Sequence, residues 1–312
     1  MYHPIYFYTD ICWMYHPTGD IMKIDIENIS FDYSPAARVL SEISLNIEGA
    51  QVISILGPNG VGKSTLIHCI NKILEPTKGV VMIEDKDVSE YSLKEVAKKI
   101  GYVPYSSSDT FPLTVVDTVL LGRHPHAGWR TTDEDLEIVF DVLEKLGIQD
   151  LSLRYFNELS AGQRQRVMLA RGLVQKPEVI MLDEPTSNLD IKHQLGISRT
   201  LKQLSRDEGI LVLMISHDLN IAARYSDSIV LMHQGSVYAV GAPSEVLTED
   251  NIREVYGVDS RIIDEGGHPY IILKDLENEE CPDLDNPHTC ISPVLKVDES
   301  SGPESEEGVT CG

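Results

Sequence analysis

An α/β fold is predicted by three features of the sequence: an apolar strand, QVISILG, that ends in glycine before a loop and a helix; further apolar strands along the chain; and helical patterns between most of them. The alternating segment MKIDIENISFDYS opens the patterned region at Met22 and reads as a strand. QVISILG, its loop and the helix KSTLIHCINKIL then form a strand–loop–helix unit. Later strands are expected at 80–83, 179–182, 210–215 and 229–232. Between Gly101 and Leu159 the pattern turns mainly helical, with apolar residues three and four apart in LTVVDTVLLGR and DEDLEIVFDVLEKLG, which predicts an inserted helical subdomain at about 105–165.

Residues 1–21 carry no Lys or Arg and lack the basic and continuous apolar regions of an export signal. They are expected to be an unpatterned extension, with Met22 a natural start or a dispensable boundary. The patterned domain is expected to span 22–258, followed by a short β extension at 259–274. From Asp275 to Gly312 eleven acidic residues face one Lys, and this segment is expected to be a disordered acidic tail.

Composition narrows the function classes. With 42% apolar residues in 312 there is ample material for a core. A net charge of -23 disfavours a nucleic-acid surface. No run approaches the roughly 18 apolar residues of a membrane span. Five cysteines are too few for a disulfide framework in so long a chain and fit a reducing compartment. Cys281, His288 and Cys290 are too loosely spaced to be assigned a metal.

The chemistry lies in short segments. GPNGVGKST, comprising Gly57, Pro58, Asn59, Gly60, Val61, Gly62, Lys63, Ser64 and Thr65, fits GxxxxGK[ST] between a strand and a helix. In that setting backbone N–H groups and the helix N-terminus wrap a polyphosphate. Lys63 is expected to reach the β- and γ-phosphates, and the Ser64 hydroxyl to ligate Mg²⁺. VIMLDEP ends a buried strand in two carboxylates: Asp183 suits the metal and Glu184 the base that polarises an attacking water. LSAGQ, with Ser160, Ala161, Gly162 and Gln163, opens a helix; Ser160 alone reads as an N-cap, yet the same amides suit a second anion site.

In this order, GPNGVGKST, LSAGQ, LDEP, SNLD and SHD closely resemble the nucleotide-binding subunits of ABC transporters over residues 22–258. The resemblance implies a P-loop NTPase (RecA-like) core with an inserted helical subdomain and an N-terminal antiparallel β subdomain. It implies ATP hydrolysis with Mg²⁺ by a homodimer that sandwiches two ATP molecules. Tyr33 would stack on adenine. Ser160, Ala161, Gly162 and Gln163 would contact the ATP of the opposite subunit, His217 would contact the γ-phosphate from within, and Asp190 would line the dimer seam. Peripheral attachment to the cytoplasmic face of the membrane, under a separate permease served by an extracytoplasmic substrate-binding protein, is implied too.

FPLTVVDTVLLGRHPHAGW and VLTEDNIREVYGVD resemble the branch that imports iron siderophores, haem and cobalamin; zinc or manganese importers and soluble ABC ATPases are the alternatives. Tyr105, Arg123, His124 and His126 fall on the expected permease-facing loop, although cations ending a helix also favour its dipole. Tyr105 stands where the family places a glutamine carbonyl for Mg²⁺. A phenol is a weaker neutral oxygen ligand, so Tyr105 is expected to pack at the subdomain hinge, and Tyr105→Gln to raise turnover or tighten its Mg²⁺ dependence.

Overall fold

The computed structural model of the chain describes residues 22–34, 37–105, 112–126 and 131–274. The expected extension at 1–21 and the acidic tail with Cys281, His288 and Cys290 lie outside them. In chain order the described elements begin with β1 (Lys23–Ser34), β2 (Ala37–Glu48), β3 (Val52–Leu56), α1 (Lys63–Ile70), β4 (Lys78–Ile83), β5 (Lys86–Asp87), α2 (Leu93–Lys99) and β6 (Ile100–Val103). The helices α3 (Val115–Leu120), α4 (Asp133–Lys145) and α5 (Ala161–Leu173) follow. Then come β7 (Val179–Leu182), α6 (Ile191–Glu208), β8 (Leu211–Ile215), α7 (Leu219–Tyr225), β9 (Ser228–His233), β10 (Ser236–Gly241), α8 (Pro243–Val246), α9 (Glu249–Tyr256), β11 (Ser260–Glu265) and β12 (His268–Leu273).

The central sheet has six strands in the order β10-β9-β3-β8-β7-β6. Strand β3 pairs in parallel with β8 and β9, and β7 with β6 and β8; β10 closes one edge antiparallel to β9. The sequences VISIL, VIML and LVLMI are wholly buried. Such unbroken apolar runs belong to strands covered on both faces, which is why they do not alternate. Because these strands run the same way, the loops after β3, β6, β7 and β8 emerge together at their carboxyl ends, where α/β folds place their sites.

A second sheet, antiparallel and in the order β2-β1-β4-β5, covers one side of this core. Here the alternation of KIDI has its physical outcome: Ile24 and Ile26 are buried and lie opposite Ile47 and Leu45. The 80–83 strand belongs to this sheet rather than to the parallel one, pairing antiparallel with β1.

On the other side lie α3, α4 and α5, each started by a side chain accepting a hydrogen bond from its own first turn: Thr114, Thr132 and Ser160. Val115, Val139, Leu143 and Val167 pack there with Val103 and Leu182 of the sheet. Arg123, expected on the permease-facing loop or as a cation ending a helix, is buried. Its Nε donates to Asp135 Oδ1 at 2.8 Å and its NH1 to the Val174 carbonyl at 2.8 Å. Twelve residues separate Arg123 from Asp135, and only the fold of α4 against the preceding turn brings them together. The segment 259–274 is the hairpin β11–β12, tied to α7 by Asn220, whose side chain accepts from Ile271 N and donates to Ile271 O.

Candidate nucleotide site

The loop after β3 turns through Gly57, at φ +143°, where a Cβ would come within 2.4 Å of the Met232 carbonyl oxygen. Glycine is required there by both backbone angle and space. The α1 helix then begins at Lys63 with no side-chain cap on its N-terminal amides, leaving N–H groups aimed out of the helix end. Lys63 is nearly buried and its Nζ donates to the carbonyls of Gly57 and Pro58 at 2.7 and 2.8 Å. Burial lowers its pKa, opposed by the charges of Glu184 and Asp183.

Next to α1 stands the end of β7. Asp183 is 8% exposed and its amide donates to Val103 O at 2.9 Å, continuing the β6–β7 ladder. Burial raises its pKa against a hydrogen bond from the Ser64 hydroxyl that lowers it. A hydroxyl and a carboxylate side by side form a hard-oxygen pair, a donor set that fits Mg²⁺. Glu184 follows at φ +50°, a left-handed angle that is uncommon for a residue with a side chain. That turn directs its carboxylate to His217, whose Nε2 is hydrogen-bonded to Oε1. His217 enters from the loop after β8, 33 residues away in sequence.

Behind Asp183, His68 of α1 bonds through Nε2 to the Tyr102 hydroxyl at 2.9 Å. Burial lowers the His68 pKa and pushes that of Tyr102 up to about 12, so both stay neutral at pH 7. The sequence pattern singles out neither, because a histidine on an apolar helix face gives no distinguishing signal. Tyr33 is 62% exposed; its hydroxyl lies 3.4 Å from Thr65 Oγ1 and its ring stands edge-on to Phe31, which sets an aromatic face beside the glycine-rich loop.

Two further segments present themselves apart from this pocket. Ser160 and Gln163 form a reciprocal capping box at the start of α5, with Ser160 N donating to Gln163 Oε1 at 3.0 Å. Ala161 follows at that helix start, and a Cβ on Gly162 would meet His193 Cδ2 at 2.6 Å. His193 in turn places Nδ1 at 2.8 Å from both carboxylate oxygens of Asp190. Hydrogen bonds from the His193 amide and ring hold the Asp190 carboxyl below the usual range. His193 therefore links the SNLD segment to the helix that LSAGQ opens, a role that depends on tertiary contact and leaves no mark in the sequence.

Tyr105 is half exposed, and its hydroxyl accepts from Asn188 Nδ2 at 3.2 Å. His124 is exposed; His126 is too, with Nε2 at 2.7 Å from the Gln175 carbonyl, and partial burial and the Arg123 charge lower its pKa.

The chain is similar in sequence and fold to known proteins. The ABC transporter family model matches residues 40–187. An uncharacterized ABC transporter ATP-binding protein of Methanocaldococcus jannaschii is 43% identical over 81% of this chain and 98% of its own length. The hemin import ATP-binding protein HmuV of Bordetella avium is 39% identical over 78% of this chain and 95% of its own. The ferric enterobactin transport ATP-binding protein FepC of Escherichia coli is 33% identical over 82% and 95%.

Among solved structures, an inward-facing putative metal-chelate type ABC transporter superposes with a TM-score of 0.71 at 25% identity, covering 81% of this chain and 97% of that one. A dimeric bacterial ABC transporter cassette superposes with a TM-score of 0.63 at 30% identity, covering 70% of this chain and 98% of that one. Sequence, fold and site together make the chain a member of the ABC transporter ATP-binding family, an ATP-hydrolysing transport ATPase.

Proposed function

We propose that this ATPase powers an importer of a metal chelate of the haem, siderophore or cobalamin kind, working as a homodimer on the cytoplasmic face of the membrane beneath a separate permease. The observation that carries the site reading is the convergence of Ser64 with Asp183 and of Glu184 with His217 at the carboxyl ends of β3, β7 and β8. The importer reading is supported by the hemin import and ferric enterobactin transport relatives, which the chain matches nearly end to end. Among the described residues no helix is long and apolar enough to cross a membrane, so the permeation path is assigned to a partner.

The roles follow from the chemistry. The loop Gly57, Pro58, Asn59, Gly60, Val61, Gly62, Lys63, Ser64 and Thr65 cradles the phosphates, with the Lys63 ammonium exchanging its carbonyl partners for phosphate oxygens. Tyr33 offers its face to the adenine. Ser64 and Asp183 would hold Mg²⁺, which when bound neutralises phosphate charge. Glu184 accepts a proton from the attacking water, and His217 orients the carboxylate and contacts the γ-phosphate.

Ser160, Ala161, Gly162 and Gln163 face the ATP held by the second copy, and Asp190 lies at the seam between copies. Closure around ATP and reopening after hydrolysis then supply the differential binding energy that moves the permease. Tyr105, His124 and His126 are placed on the permease-facing side; Arg123, buried with Asp135, supports that side from within. A substrate-binding protein outside the cell completes the importer.

Uptake tests the reading. Disrupting the chain's own gene is expected to abolish accumulation of a radiolabelled haem, ferric siderophore or cobalamin, with restoration by the wild-type chain and none by Lys63→Ala. Normal uptake of all three together with lost zinc or manganese uptake would move the chain to that importer branch.

A further inference from the structure

The turn that carries Glu184 is held at both ends in a conformation that side chains resist. Glu184 sits at φ +50° and Asn188 at φ +61°, and such angles persist only where surrounding contacts fix them. Part of the fixing is internal. The Ser187 amide and hydroxyl both donate to the Glu184 carbonyl, at 3.2 and 2.7 Å, and Gln194 Nε2 donates to Thr186 O at 3.2 Å. These bonds tie the turn to itself and to α6. The bond from Asn188 Nδ2 to the Tyr105 hydroxyl, at 3.2 Å across 83 residues, ties it to the segment leaving β6.

That attachment is stiff at its other end. Strand β6 pairs with β7 through Val103 opposite Leu182, and the Asp183 amide continues the ladder to Val103 O. Tyr105 lies two residues beyond Val103, and Glu184 two beyond Leu182. The strands therefore leave the sheet side by side, and the Asn188 side chain bridges back from the far end of the Glu184 turn. Tyr105 and Asn188 also line one cleft of about 400 Å³ with Phe156, Ala161, Arg164 and Met168, so a shift of the helical layer reaches both partners of the bond.

We propose that Tyr105 is a positioning residue for ATP hydrolysis: through its hydroxyl it holds Asn188, and through the Glu184–Asn188 turn it sets the carboxylate of Glu184. The inference rests on Glu184 acting as the base of the site described above.

Steady-state ATP hydrolysis by the full-length chain tests it with three substitutions. Tyr105→Phe removes only the acceptor oxygen. Asn188→Gly removes the donor and keeps a residue at ease with positive φ. The third is the pair combined. Each single change is expected to lower kcat about fivefold, the rate equivalent of one exposed hydrogen bond, with KM for ATP and the melting temperature unchanged. The double variant is expected to lose no more than either single one, because one bond can be broken only once.

Unchanged kcat in Tyr105→Phe, or losses that multiply in the double variant, would overturn the proposal. Glu184→Gln, assayed in parallel, keeps the two readings apart. If it abolishes turnover while Tyr105→Phe has none of its expected effect, the latch alone fails. If it turns over normally, the assignment of the base fails first.

Discussion

His217 Nε2 is hydrogen-bonded to Glu184 Oε1, so the loop after β8 and the turn after β7 meet through one shared contact. A donated N–H fixes the direction of the carboxylate and leaves its other oxygen free for a water. His217→Ala is therefore expected to lower kcat by about 10- to 100-fold, as for loss of an orienting partner. Equilibrium ATP binding, assigned above to the loop at 57–65, should stay within a few-fold. A collapse of affinity with kcat unchanged would place His217 in binding instead.

Asp183 has an ionised form penalised by burial, and its pKa is raised. A carboxyl whose folded pKa lies above its unfolded value contributes stability below the unfolded pKa and loses it as pH rises through the folded one. Asp183→Asn should consequently raise the melting temperature of the nucleotide-free chain at neutral pH, because it removes the buried charge, while ending Mg²⁺-dependent hydrolysis. The stability gain should shrink as pH falls through the raised folded pKa and vanish below the unfolded one, where the carboxyl is protonated in both states. Calorimetry across pH checks both halves, and a lower melting temperature at pH 7 contradicts them.

Arg123 and Asp135 behave oppositely. The guanidinium holds the Asp135 carboxyl below its usual range, so this contribution is present above the unfolded pKa and lost as pH falls through the folded one. Arg123→Met leaves a buried carboxylate without its cation and is expected to cost about 3 kcal/mol in urea unfolding at pH 7. The deficit should narrow in acid, and adding Asp135→Leu should restore most of it. Surface-like effects below about 0.5 kcal/mol would show that the pair bears no structural load.

Motifs of local chemistry were legible in the sequence. GPNGVGKST announces a strand, loop and helix because its glycines, lysine and hydroxyl are adjacent, and VIMLDEP does so because a buried strand must end where carboxylates can reach water. The apolar runs at 179–182 and 210–215 likewise predicted strands, which the structure sets in the central sheet. Pairings across long separations were not legible. Nothing near Arg123 marks Asp135 as its partner, so the sequence offered only a permease-facing loop or a cation ending a helix. Asn188, His193 and His68 gain their roles from residues 83, 31 and 34 positions away, and the 80–83 strand is assigned to a sheet by its neighbour β1, not by its own apolar content.

Two copies of the chain are proposed to close around ATP, with Glu184 supplying the base whose action reopens them. Light scattering of purified Glu184→Gln, with and without ATP and Mg²⁺, tests it most directly, with bound nucleotide quantified in the same fractions. The expected result is a monomer without nucleotide and a stable dimer holding two ATP molecules with it, while hydrolysis falls by about 100-fold or more. A chain that binds ATP and stays monomeric, or that hydrolyses it at the wild-type rate, would contradict the account.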